Sequence, residues 1–280
     1  MKGLQNLRDW PAGAAIGIGL VTTIMVLGCI GVTLVQPDVI DLSIRLQPPS
    51  PAHWFGTDEL GRDLFARIAA GAAYSVWSAL AVVVSTASLG GLIGAISAAA
   101  PRWVDAIIMR SMDILLSVPA LVLAMALAAA LGPGLLNAMV ALVIARLPAF
   151  VRLARNQSLS LQRQGYVEFA RLNGAGLGYT IRRHIAPNVA PPILVQAASD
   201  ISGVMLAAAA LGFIGLGAQP PMPEWGALAA SGRLYFLDAW WYAVFPAAAM
   251  LAATAGFVLL GDAARDHFDP RRPHNAGARP

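Results

Sequence analysis

The sequence predicts an all-α membrane protein of six transmembrane helices, with both termini on the cytoplasmic side. Three observations carry that expectation. Only 12% of the 280 residues are Asp, Glu, Lys or Arg, against 58% hydrophobic, where a soluble domain carries about 25% charged residues. Six apolar stretches each have the roughly 20 residues needed to cross a hydrocarbon core of about 30 Å. The segments between them alternate between rich and poor in arginine.

The first span covers 12–35 and follows Lys2 and Arg8. Its apolar run is too long for the 7–15-residue core of a secretion signal. The "VLGC" at 26–29 resembles a lipoprotein cleavage box, but cutting there would remove a full span. An outer segment follows at 36–73. "PPSP" at 48–51 stiffens it, and Gly56 and Gly61 flank "TDEL". Asp58, Glu59, Arg62, Asp63 and Arg67 lie at near-helical spacings, which predicts ion pairs on a short helix. The second span is 74–100 and the third 111–131. Asp113 lies one turn after Arg110, as an i,i+3 pair at the interface. A Gly132-Pro133-Gly134 turn leads to the fourth span, 135–154. The fifth span is 189–216 and the sixth 240–260, so 74–262 forms a five-helix core. That core is interrupted by inner loop 157–188 and outer loop 217–239, and a tail occupies 263–280.

Arginine placement sets the orientation. With the N-terminus inside, the inner segments hold 14 of the 19 basic residues, among them Arg152, Arg155, Arg163, Arg171, Arg182 and Arg183. The outer segments hold four: Arg45, Arg62, Arg67 and Arg233. This is the positive-inside pattern. It accounts for the net charge of +4 without nucleic acid. A single cysteine, Cys29, excludes an intramolecular disulfide, and the four histidines show no metal-ligand spacing. No metal site is expected.

"YVEFARLNGAGLGYTIRRHIAPN", 166–188, interrupts the apolar pattern with charge and glycine. Read from the residues, it is either a basic loop that enforces topology or a short helix offered to another protein. Val167, Phe169, Ala170 and Leu172 supply its apolar side. Gly174, Gly176 and Gly178 break it, and Pro187 ends it before the fifth span. The block resembles the "EAA" loop of bacterial ABC importer permeases. Glu168, Phe169 and Ala170 stand for Glu-Ala-Ala, Gly174 keeps the interval, and Ile185, Ala186 and Pro187 form the close. Phe169 and Ala186 depart from the usual Ala and Leu.

Three further stretches extend the resemblance. "HWFGTDELGRDLFARIAAGA" (53–72), "LGFIGLGAQPPMPEWGALAASGR" (211–233) and "GDAARDHFDPR" (261–271) resemble signatures of the oligopeptide, dipeptide and nickel permease family, in its C-type second subunit. The resemblance implies an ABC type I importer permease fold in the bacterial inner membrane. It implies a homologous second permease, two ATPase subunits, a periplasmic substrate-binding protein and surrounding lipid as partners. ATP and Mg would be bound by the ATPases, leaving no cofactor on this chain, which lacks a GxxxxGK[ST] motif. Glu168, Phe169, Ala170, Gly174, Ile185 and Pro187 would couple to the ATPases. Glu224, Trp225 and Gly226 would meet the binding protein. Trp225, Trp240 and Trp241 also fit an interfacial aromatic belt.

Charges within spans default to functional candidates, because a central charge costs at least about 2.5–3.5 kcal/mol. Arg146 and Asp200 each lie about 11 residues into their spans, roughly 17 Å deep. Gln196 is one turn before Asp200. These three are the translocation-path candidates, with a structural interhelical pair as the alternative. The resemblance implies a peptide as cargo, with a nickel or metal–opine chelate as the alternative. The short N-terminus and "SDIS" around Asp200 lean slightly toward that alternative. A secondary carrier should show inverted repeats, and an embedded enzyme a nucleophile–base or metal constellation; neither is visible. The chain is read as a transport subunit and not an enzyme.

Overall fold

In a bilayer every backbone group must be satisfied within the chain, which favours helices. Among the described residues the only strand-type pairing is one antiparallel bridge, Thr57 to Asp63; the rest is helix, turn and connecting loop. The computed structural model describes residues 12–33 and 37–268. Lys2, Arg8 and the tail arginines Arg271, Arg272 and Arg279 lie outside the described residues.

The helices are α1 (Ala12–Thr33), α2 (Leu64–Ala99), α3 (Arg102–Leu116), α4 (Ala120–Leu131) and α5 (Leu135–Gln162), then α6 (Gly165–Leu172), α7 (Leu177–Thr180), α8 (Ala186–Phe213), α9 (Trp225–Arg233) and α10 (Trp240–Phe268). Four helices are long and apolar enough to cross a membrane: α2, α5, α10 and a continuous run over Gly178–Phe213. A fifth is counted if α3 and α4 form one bent span. The apolar part of α1 is the shorter Ala14–Val26.

The expected third span is therefore corrected. It is not one straight helix but two, turned by 91°. Pro119 lacks the N–H that would continue the ladder, and it forces Val118 out of the helical region. The bend redirects Asp113, which binds Arg152 on α5 rather than Arg110. Asp105 binds Arg155 through two bonds of 2.6 Å. The two aspartates are about 12 Å apart along α3, and their arginines about 4.5 Å apart along α5. So α3 crosses α5 instead of running beside it.

The core forms where small residues let backbones approach. Gly94 on α2 faces α5 so closely that a Cβ would lie 2.4 Å from the Val151 carbonyl. Close backbone packing of this kind holds helices together where lipid removes the hydrophobic drive. Val76, Val82, Leu142, Val204 and Leu211 fill the seam between α2, α5 and α8.

Exposure at the two ends gives a test of orientation. Leu237, in the loop before α10, is 97% exposed. Ser160, at the opposite end, is exposed on α5. In a Cys29→Ala background, Leu237→Cys reacts with an impermeant thiol reagent added outside intact cells, and Ser160→Cys reacts only after permeabilisation. The opposite pattern would invert the protein.

Candidate functional site

The arginine-rich loop begins later than 157, because α5 continues to Gln162. α6 then turns its two faces in different directions. Val167 is fully buried, while Phe169 is 69% exposed and Leu172 81% exposed. Burying an apolar residue is favourable, and here only one side of the short helix has something to bury against. Glu168 is exposed in the first turn, where the helix dipole favours an anion. Gly174 then adopts φ +83°, a left-handed conformation open to glycine at little cost. The reversal creates an open groove lined by Tyr166, Phe169, Ala170, Gly174, Tyr179 and His184. The His184 ring packs between Tyr166 and Tyr179, 5.8 Å from each. Arg163, Arg182 and Arg183 are exposed around it.

Pro187 does not end a helix, contrary to the sequence expectation. α7 passes through a π-turn at Ile181–Ile185 into α8. The wider turn takes up the hydrogen bond that Pro187 cannot donate. Ile185 is fully buried against Ala154 of α5 and Val189 of α8. Pro187 itself is exposed. The loop is thus fastened at Ile185 to the two long helices that flank it.

Near the middle of α5 and α8, Arg146 Nη1 donates to Asp200 Oδ1 at 2.8 Å. The side chains are 28% and 11% exposed. Gln196 lies half-buried nearby in sequence and forms no side-chain hydrogen bond among the described residues. The structure joins Arg146 to Asp200 and leaves Gln196 out of the pair.

The outer residues behave differently from expectation. Glu224 is buried and caps α9, accepting from the Gly226 and Ala227 amides at 2.9 Å each. It also accepts from Ser75 Oγ at 3.2 Å. Burial pushes its carboxyl up against the pull of those three bonds. The Trp225 indole is buried and donates to the Ile68 carbonyl at 2.9 Å. Gly226 meets α8 so closely that a Cβ would lie 2.6 Å from the Ala209 carbonyl. These three residues are a packed joint between α2, α8 and α9, buried within the chain and not exposed on its surface. Nor does Trp225 belong to a surface belt. Trp241 is also buried, and only Trp240 of the three is exposed.

The charges at 58–67 pair as expected, but not on a short helix. Gly56 and Gly61 take φ +76° and +71°, so the chain folds into a tight turn instead. Asp58, fully buried, accepts from Arg62 Nε at 2.6 Å and from the Leu60 and Arg62 amides. Arg67 lies 3.6 Å from it and also binds Asp38 and the Pro221 carbonyl at 3.0 Å. Asp63 caps α2.

Residues 87–273 match the family described as the binding-protein-dependent transport system inner membrane component. The chain belongs to that family. The permease is 54% identical over 236 residues to the probable D,D-dipeptide transport system permease protein DdpC of Escherichia coli (strain K12), covering 84% of this chain and 79% of that one. It is 39% identical over 260 residues to the dipeptide transport system permease protein DppC of Alkalihalophilus pseudofirmus, covering 92% and 86%. It is 41% identical over 223 residues to the glutathione transport system permease protein GsiD of Pectobacterium atrosepticum, covering 80% and 74%.

The permease is an ABC importer subunit of the inner membrane and not an enzyme. Two of its structural joints have no local sequence pattern: Ser75 with Glu224, and Ile68 with Trp225. The Pro-Glu-Trp-Gly run at 223–226 holds a partial signal, since Glu before a helical run is a capping residue in the making.

Proposed function

We propose that this permease carries short peptides inward as one of two homologous permease subunits. In this reading a periplasmic binding protein delivers the peptide, and two ATPase subunits bind ATP and Mg²⁺ and supply the drive. The observation that carries the substrate class is the 54% identity, over most of both chains, to a relative named for D,D-dipeptides. The relatives named for dipeptides and glutathione agree with it. They give no support to the nickel or metal–opine alternative.

The coupling follows from the loop. Phe169 and Leu172 of α6 seat in an apolar groove of an ATPase subunit, with Glu168 and Ala170 beside them, and the reversal at Gly174 keeps the lever short. Closure of the ATPases then moves α6 as a rigid body. Ile185 passes the displacement to α5 and α8, because it is buried between them. Pro187 leaves α8 continuous, so motion at the loop reaches the middle of the span, where Arg146 and Asp200 lie.

The ligand that co-purifies with the cognate binding protein tests the substrate class. Mass spectrometry of the denatured binding protein releases a short peptide. A nickel ion or a metal chelate in its place would overturn this reading.

A further inference from the structure

The Arg146–Asp200 pair is built unlike the Arg155–Asp105 staple nearer the inner surface, whose exposed neighbour Arg152–Asp113 is a single contact. Arg155 grips Asp105 with both Nε and Nη2, at 2.6 Å each. A guanidinium fork matches both oxygens of a carboxylate, and a staple takes advantage of both. Arg146 reaches Asp200 with Nη1 alone. No other side-chain hydrogen bond to either residue is found among the described residues. Nε and Nη2 of Arg146 therefore remain as donors, and Oδ2 of Asp200 remains as an acceptor. Neither group is sealed, since the side chains are 28% and 11% exposed. Beside the fork stands Gly203, where a Cβ would lie 3.3 Å from Nη2. The missing side chain leaves room on that flank.

We infer that Arg146 and Asp200 receive the two charged ends of a zwitterionic peptide, its α-carboxylate on Arg146 and its α-ammonium on Asp200. This inference rests on the peptide reading given above. The charge balance supports it. The internal pair is neutral and a free dipeptide is neutral, so their exchange brings no net charge into the low-dielectric interior, where an unpaired charge is costly. One ion pair inside the protein becomes two between protein and cargo. The planar fork of Arg146 suits a terminal carboxylate, which offers two oxygens side by side. The ends of a dipeptide are about 6 Å apart at about 3.5 Å per residue. Cargo can therefore sit between the two side chains only when they part. Occupancy and the separation of α5 from α8 thus become one event. Those helices meet again at Ile185, where the ATPase drive enters.

The test uses the complete importer, with both permeases, both ATPases and the binding protein, in proteoliposomes. The probes are labelled L-alanyl-L-alanine and D-alanyl-D-alanine. Two variants separate recognition from stapling. Arg146→Lys keeps a single-point ion pair with Asp200 but loses the fork. The double variant Arg146→Gln/Asp200→Asn removes both charges, which relieves a mere staple of its unpaired partner. The expected result is that wild type imports at least one probe, that both variants assemble with the ATPases, and that uptake in both falls by about tenfold or more. Uptake within about twofold of wild type in either variant would overturn the inference and leave the peptide reading standing. Loss of assembly in Arg146→Lys would give the fork a structural task and would overturn it as well. A wild-type importer that takes up neither probe would instead overturn the peptide reading, and this inference with it.

Discussion

Phe169→Asp abolishes co-purification of the ATPase subunits while the permease itself still inserts and folds. Phe169 is 69% exposed on α6, beside Leu172 at 81% exposed and the Tyr166 ring. Among the described side chains of this helix, only Val167 is fully buried within the chain. Fold stability therefore does not depend on the Phe169 ring, and the variant should match wild type in thermal stability. In the coupling proposed above, the ATPase groove depends on it. Burying a phenylalanine contributes about 1.5–3 kcal/mol, and interface anchors of this kind cost about 2 kcal/mol or more when removed. An aspartate adds the desolvation of a charge. The expected loss of affinity is at least about 30-fold. Pull-down from detergent, with the ATPase to permease ratio measured by gel densitometry, reads it directly. An unchanged ratio would remove α6 from the coupling surface. Gly174→Asp is the milder companion. A side chain at φ +83° strains the reversal by about 1–2 kcal/mol, so docking survives in part and the lever is misdirected.

The second large effect is at the other side of the membrane. Asp58→Ala destabilises the outer segment by about 3–5 kcal/mol, because it removes one partner from a buried ionic cluster. Asp58 is fully buried and holds Arg62 at 2.6 Å. Arg62 and Arg67 are themselves buried. Without Asp58, Arg62 retains only Glu59 at 3.3 Å, and Arg67 retains Asp38 and a carbonyl. The Leu60 and Arg62 amides lose their acceptor too. The turn that starts α2 and carries Trp241's contact to the Thr57 carbonyl then loosens. Thermal unfolding of the purified permease should shift down by several degrees. A midpoint equal to wild type would show that the cluster is not the clamp described here. Such an ionic cluster is weak evidence for net stability by itself. What it secures is the geometry of the entry to α2.

Much of this was legible in the sequence, for identifiable reasons. Apolar length marks α2, α5, α8 and α10, because crossing a bilayer imposes a minimum run. Counting depth from the ends of two spans placed Arg146 and Asp200 at the same level, and they meet at 2.8 Å. The block at 166–188 stood out because charge and glycine have no other reason to interrupt apolar sequence. Direction was what could not be read. Hydropathy over 111–131 reports composition, and it is blind to the 91° turn that Pro119 introduces. A loop with proline and tryptophan reads as surface, yet Glu224, Trp225 and Gly226 are buried. Their burial depends on Ser75 and Ile68, about 150 residues earlier, and no local pattern encodes such a pairing. Asp113 has one arginine near in sequence and a different one near in space. The helix bend decides in favour of Arg152.

The central claim is that this chain is a passive path moved by partner ATPases through the loop at 166–188. It is tested most directly by peptide uptake into proteoliposomes holding the assembled importer, with ATP sealed inside or withheld. The account predicts uptake that requires internal ATP and the peptide-loaded binding protein outside. It also predicts that uptake disappears with Phe169→Asp while the permease remains folded. Uptake by the permease alone, driven by an ion gradient without ATP, would contradict it.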